Sequence, residues 1–284
     1  MLTPEQHDRS AAVLLGLAAG DALASGDDFE WSERTAAAVD LALLTADGHD
    51  LREATTRDDP DAGWAPGADD QARLDAGRCL LRVAPVALAV LDDPVALAAA
   101  ARHVASRPDS APRDSALDDP TGTDPGAGDA AVLFALSLRE AVLVGRLDPR
   151  AGLAALPSEA RSAWEAHLAA AAQGRTVDPQ RLGPVGSILQ GAWAILGDTP
   201  PADAALVGPL LAGAAHGADP ASLAAAGALL AGRWGLEAVP ADWRRRLHGR
   251  PDLFGIDLVR LAMLSARSGV PHDPDDSARM DVLR

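Results

Sequence analysis

The sequence predicts an all-α protein, a single-domain multi-helix orthogonal bundle. Apolar residues recur at helical spacing along most of the chain, no stretch alternates with the period of two that a half-buried strand needs, and cap-then-proline signatures mark successive helix starts. With 284 residues, 48% of them hydrophobic, the chain is long and apolar enough to bury a substantial core. Aromatic residues make up only 3% and Tyr is absent, so the helices present small side chains and are expected to pack closely. The bundle is expected to span residues 1–269, with 270–284 a flexible C-terminal tail.

The elements follow in order. Thr3-Pro4-Glu5-Gln6 reads as the cap of a first helix whose apolar face runs through Val13, Leu14, Leu17 and Ala18, with Asp21 on that same face. A carboxylate there must find a partner or line a cavity. A second helix is expected from Arg34 to Leu44. A longer stretch from Gln71 to Leu91 contains Pro85, which is expected to kink or end it. Asp92-Asp93-Pro94 caps the next helix, through Arg102. Residues 104–123, rich in Ser, Pro, Asp, Gly and Thr, read as a loop. Helices resume over Pro125–Val144, Pro157–Ala172, Val185–Leu196, Pro200–His216, Pro220–Gly235, Ala241–Leu247 and Leu253–Ser268. Thr199-Pro200 and Asp219-Pro220 are cap-and-first-residue pairs.

Composition excludes several functions. A net charge of −16 offers no counterion-release attraction to nucleic acid or to an anionic membrane, so neither is expected as a partner. No apolar run approaches bilayer-spanning length. Ala11–Ser25 has the hydrophobicity of a signal-peptide core, but Glu5 and Asp8 precede it where positive charge belongs, and a cytoplasmic location is expected. Cys79 is alone, which rules out an intramolecular disulfide and a cysteine-based zinc site. The seven histidines show no metal-ligand spacing, and no zincin, phosphate-loop, nucleophile-elbow or dinucleotide motif occurs. All 25 basic residues are Arg; the run Arg244-Arg245-Arg246 reads as a solvated helix face.

Several fragments, in one order, carry a resemblance. Leu15-Gly16-Leu17-Ala18-Ala19-Gly20-Asp21-Ala22-Leu23 looks like G-x-x-x-G-D-A-L, and Leu81-Arg82-Val83-Ala84-Pro85 looks like M-R-V-A-P. Thr121-Gly122-Thr123-Asp124-Pro125 followed by Asp129-Ala130-Ala131 is similar to T-H-x-D-P…D-A-A, and Val185 to Trp193 to V-x-x-T-L-Q-A-A-x-W. Gly217 to Leu229 aligns with G-D-x-D-T-x-A-A-x-x-G-A-L, and Gly235 to Trp243 with G-x-x-A-I-P-x-x-W. Together these resemble the ADP-ribosylglycohydrolase family. The resemblance implies that family's helical fold and cleavage of the glycosidic bond joining ADP-ribose to its acceptor. It also implies two Mg²⁺ ions held by an early T-D-D and a late D-x-D-T, since paired hard cations need several carboxylate oxygens.

Here both motifs are rewritten. Ser32-Glu33-Arg34, then Thr35, stands for T-D-D, and Ala218-Asp219-Pro220-Ala221 for D-x-D-T; Gly122 replaces a His. The positive Arg34 falls where a cation belongs and repels one. The segment between Asp21 and Ser32 is shorter than usual in the family, so a substrate-covering loop is expected to be missing. No cofactor is therefore expected, with Mg²⁺ entering only if activity survives and Glu33 and Asp219 as the residual ligands.

The ligand-binding candidates are Asp21, Ser32, Glu33, Arg34, Thr121, Asp124, Gly186, Ser187 and Asp219. Each also has a purely structural reading. Arg34 reaches either a ligand phosphate or carboxylate, or a neighbouring carboxylate at Asp21, Glu33 or Asp219. Ser32 and Glu33 line a cavity, or serve as N-cap and first-turn acid. Asp219 is a displaced ligand or simply the cap before Pro220. Thr121, Asp124 and Asp129 sit at a loop-to-helix junction, and Gly186 and Ser187 open a helix whose free N–H groups suit a pyrophosphate. Three functions stay open: a family member without dimagnesium catalysis that binds a small anionic ligand such as ADP-ribose or a nucleotide, or a protein partner; a hydrolase of ADP-ribosyl or related N- or O-glycosidic linkages with at most one metal; and a structural or interaction protein with a filled pocket.

Overall fold

The computed structural model describes residues 1–25, 28–48, 68–106, 126–173, 175, 182–197 and 206–267. These form helices α1 (Pro4–Ser25), α2 (Glu33–Ala46), α3 (Ala68–Leu81), α4 (Val83–Ala89), α5 (Pro94–Ala105) and α6 (Ala127–Val144). They continue with α7 (Ser158–Ala171), α8 (Gly183–Gly197), α9 (Val207–Ala215), α10 (Pro220–Trp234), α11 (Ala241–Arg246) and α12 (Gly255–Arg267). The all-α prediction holds. The expected tail, 270–284, and the start of the Pro200 helix lie outside the described residues.

Local chemistry explains most of the boundaries. At the start of α1 the Gln6 amide N–H donates to Thr3 Oγ1 while the Thr3 N–H donates to Gln6 Oε1, the reciprocal arrangement the sequence suggests. Asp93 caps α5 by accepting from the N–H groups of Val95 and Ala96 at 2.9 and 3.0 Å. Gly145 ends α6 at φ 73°, left-handed backbone that glycine adopts without steric cost.

Two expectations need correction. The break between α3 and α4 falls at Arg82, three residues before Pro85, which sits in the first turn of α4. A proline is tolerated there because the first turn has no intrahelical acceptor for its missing N–H. Strand structure is also present: β1 (His248–Gly249) and β2 (Leu253–Phe254) pair antiparallel around a cis Arg250–Pro251 bond. Two-residue strands carry too few positions to show a period. A smaller difference lies at residues 104 and 105, read as loop, which complete the last turn of α5.

The core is centred on α1. It crosses α10 at backbone contact, and α12 packs beside it; α6 pairs with α5, α2 with α3 and α12, and α8 with α10. The α1–α10 approach depends on three glycines. A Cβ on Gly16 would fall 2.3 Å from the Gly227 carbonyl oxygen, one on Gly20 2.2 Å from that of Leu223, and one on Gly227 2.2 Å from that of Gly16. No side-chain rearrangement relieves a clash with backbone. The Gly-x-x-x-Gly spacing read from the sequence is thus a helix-packing device that sets where Asp21 sits.

Candidate functional site

Asp21 follows the last of those glycines on α1 and is completely buried. Its carboxylate is closed off by Ser32: the Ser32 N–H donates to Oδ2 at 2.7 Å, and the Ser32 hydroxyl lies 2.8 and 3.0 Å from the two oxygens. Burial pushes the Asp21 carboxyl above the ordinary carboxylate range. The hydroxyl and N–H of Ser32 oppose that rise, as do the nearby Thr35 hydroxyl and the charge of Arg34, but burial outweighs them. The Thr35 oxygen acts by proximity, for it lacks a hydrogen bond of full geometry.

Ser32 is held in place from the far end of the chain. The Trp31 N–H donates to the His248 carbonyl at 3.0 Å and its indole N–H to that of Arg250 at 3.1 Å. Glu30 makes a parallel bridge to His248. Gly249 leaves room for the Trp31 ring, which a Cβ would meet at 2.5 Å. Phe29, at φ 57°, packs its ring 5.3 Å from Trp243. The small ribbon therefore anchors the segment that brings Ser32 to Asp21.

From Ser32 the chain enters α2. Ser32 is its N-cap, with the hydroxyl accepting from the Arg34 N–H at 3.3 Å and from Arg34 Nη1 at 3.4 Å. The methylene stem of Arg34 lies between α3 and α10: a Cβ on Gly77 would come within 2.8 Å of Arg34 Cδ and 3.1 Å of the Ala221 Cβ. No ion pair joins Arg34 to a carboxylate among the described residues. Glu33, its neighbour, is bound to Arg78 of α3 at 2.5 Å, and Arg78 also approaches Asp75 at 3.6 Å. Asp219 caps α10 by accepting from the Ala221 N–H at 2.8 Å.

The structure thus gathers Asp21, Ser32, Glu33 and Arg34 at one corner, against Gly77 and Arg78 of α3 and Ala221 in the first turn of α10. Arg78 was missed by sequence reasoning, because it is 45 positions from Glu33 and no local spacing marks it. Gly186 and Ser187 do not open a helix. Helix α8 begins at Gly183, so both lie within it; Gly186 is buried near Trp164, and the Ser187 hydroxyl donates to the Gly183 carbonyl at 2.9 Å. Their N–H groups are not offered to a ligand. Asp129 sits 3.5 Å from Arg102. Thr121 and Asp124 lie outside the described residues.

A model of the ADP-ribosylglycohydrolase family matches residues 42–271. The chain belongs to the ADP-ribosylglycohydrolase family. The matched span begins downstream of Asp21 and of the Ser32–Thr35 segment. A solved structure described as an "ADP-ribosylglycohydrolase-related protein complex" aligns with 94% of this chain and 100% of its own at a TM-score of 0.59 and 21% identity, a likeness of fold. No curated protein matches the chain.

Family members of the dimetal kind need a cluster of free carboxylates. Among the described residues no group of three or more His, Cys, Asp or Glu is placed to hold a metal ion. Each acidic group at the corner is already committed: Asp21 beneath Ser32, Glu33 to Arg78, Asp219 to the end of α10. The residues described do not fit a pair of Mg²⁺ ions. Beside these acids the corner presents the Arg34 guanidinium at the start of α2. Among the described residues no helix is long and apolar enough to cross a membrane.

Proposed function

We propose that this family member works without dimagnesium catalysis and uses the corner of α1, α2, α3 and α10 to hold a small anionic ligand such as ADP-ribose or a nucleotide. The observation that carries this reading is Arg34, which stands where the rewritten early motif would place a metal ligand and makes no ion pair with a described carboxylate. A guanidinium offers several donors in a fixed fork, suited to phosphate or carboxylate, and supplies the positive charge an anion needs against a net charge of −16. The reading also places the protein in the cytoplasm, where nucleotide ligands are plentiful, and leaves room for action through a protein partner.

A second reading is favoured by the same side chain. The stem of Arg34 packs against Gly77 next to Ala221, and Asp21 is sealed, so the corner also fits an interaction protein whose pocket is closed by its own residues.

Titration with ADP-ribose, with and without Mg²⁺, followed by an assay for ribosyl-linkage cleavage separates these readings. Binding that is independent of Mg²⁺, weakened by Arg34→Ala and unaccompanied by cleavage is the expected result. Absence of binding favours the filled pocket, and Mg²⁺-dependent cleavage overturns both in favour of a working hydrolase. The triple variant Arg34→Asp, Ala218→Asp, Pro220→Asp is expected to gain measurable Mg²⁺ affinity by calorimetry. No gain would count against the corner being a rewritten metal site.

A further inference from the structure

A second concavity lies away from that corner and shares no residue with it. It is an open groove between α5, α6 and the turn at residues 151–155, with about 550 Å³ of space. Its walls are apolar and mostly short: Val95, Ala98 and Ala99 from α5, Leu136 from α6 and Ala154 from the turn. Val95 is 78% exposed at the rim, an unusual position for a large aliphatic side chain on an otherwise acidic protein.

The charged groups in this wall are unequally committed. Glu140 is held by Arg146 at 2.5 Å, and Arg102 donates to the Ala155 carbonyl at 3.1 Å while approaching Asp129 at 3.5 Å. Arg139 is different. Its Nε donates to the Leu91 carbonyl at 2.7 Å, which orients the guanidinium, and no ion pair joins it to a carboxylate among the described residues. Among the described residues its two terminal amino groups meet no acceptor, and the half-buried setting screens an anion less than the open surface does.

We propose that this groove binds a small carboxylate with an aliphatic body, the head group on the Arg139 guanidinium and the chain along the alanine-lined wall. A planar carboxylate matches the guanidinium fork, and the short side chains opposite leave room for methylenes without polar groups to satisfy. A polyphosphate or sugar is a poor match, because the walls provide few donors for its many oxygens.

Isothermal calorimetry with octanoate at millimolar concentration tests this, with octanamide and inorganic phosphate as probes of chain and charge alone. Octanoate is expected to bind, and each control to bind more weakly. Arg139→Gln is expected to weaken octanoate by roughly tenfold or more, the loss of one charge-assisted contact. Ala99→Phe, which fills the groove from an exposed position and spares the core, is expected to abolish binding. Arg34→Ala should leave it unchanged, so this outcome stands apart from that of the α1–α2 corner. Absence of octanoate binding, or unchanged affinity in either groove variant, overturns the proposal.

Discussion

Gly20 and Asp21 are adjacent in the chain yet belong to regions with opposite tolerances. Gly20 is part of the α1–α10 crossing, where backbone meets backbone and three positions admit only hydrogen as a side chain. Asp21 opens the corner toward α2, where Glu33 and Arg34 stand at the positions that the early T-D-D motif gives to aspartates. In this chain the crossing sets the distance between α1 and α10. On the proposed reading the corner is where the chemistry is decided, and there Ser32 satisfies Asp21 and Arg78 satisfies Glu33.

The largest expected effect lies in the crossing. Gly20→Ala should lower unfolding free energy in urea by about 2–3 kcal/mol, because the Leu223 carbonyl cannot yield, and the gain of about 1 kcal/mol in helix propensity offsets only part of this. A neutral result would mean that the helices separate easily, and the contrast between the regions would vanish.

The next effect crosses the boundary. Asp21→Ala leaves the partly buried Ser32 N–H and hydroxyl without their acceptor and should cost about 2 kcal/mol. Asp21→Asn keeps an acceptor and isolates the charge. Burial raises the folded pKa of Asp21 above its unfolded value, so as pH falls the folded protein takes up this proton first. The group's ionisation therefore lowers stability as pH rises from the ordinary carboxylate value through the raised one, and has no such effect below that window. The stability of wild type relative to Asp21→Asn should decline across that interval in denaturant titrations at several pH values. A flat difference would remove burial as the dominant influence.

Smaller effects belong wholly to the corner. Asp219→Ala should cost about 1 kcal/mol, the usual loss of an N-cap, with no change in divalent-ion response measured by thermal melts with Mg²⁺ and with chelator. Glu33→Gln should cost less than about 0.5 kcal/mol and lose most of that in high salt, because the Glu33 side chain is 42% exposed and its pair with Arg78 is screened. A loss of several kcal/mol at Glu33 would show that the corner carries as much of the fold as the crossing does.

Much of the crossing is legible in the sequence. Gly16, Gly20 and Gly227 fall in recognisable segments, and helix periodicity and caps locate the start of α1 and both ends of α10 to within a residue. The corner is legible only in part. Ser32 as a cap and Asp219 before Pro220 follow from local rules, since a cap and the N–H that donates to it lie two or three positions apart. The pairing of Glu33 with Arg78, and the placing of the Arg34 stem against Gly77, depend on how α2 and α3 pack, and no short-range pattern records that. Gly186 and Ser187 misled for a related reason. The apolar period begins at Val185, but Gly183 and Pro184 already follow the helix, because a first turn needs no donor from proline. The 248–254 ribbon that braces Trp31 left no trace in periodicity at all.

The Ser32 hydroxyl has one proton and gives it to Asp21, so its lone pairs face the N–H and guanidinium of Arg34. Donation runs one way along this chain, outward charge to inner carboxylate. If Arg34 swings toward an arriving anion, the oxygen of Ser32 loses a donor, while both of its bonds to Asp21 survive. The hydrogen-bonded geometry at the buried end of α1 is then kept, but the Asp21 carboxyl loses a positive charge that opposes its upward shift. A change at the rim thus reaches the core as a change in protonation and not in shape.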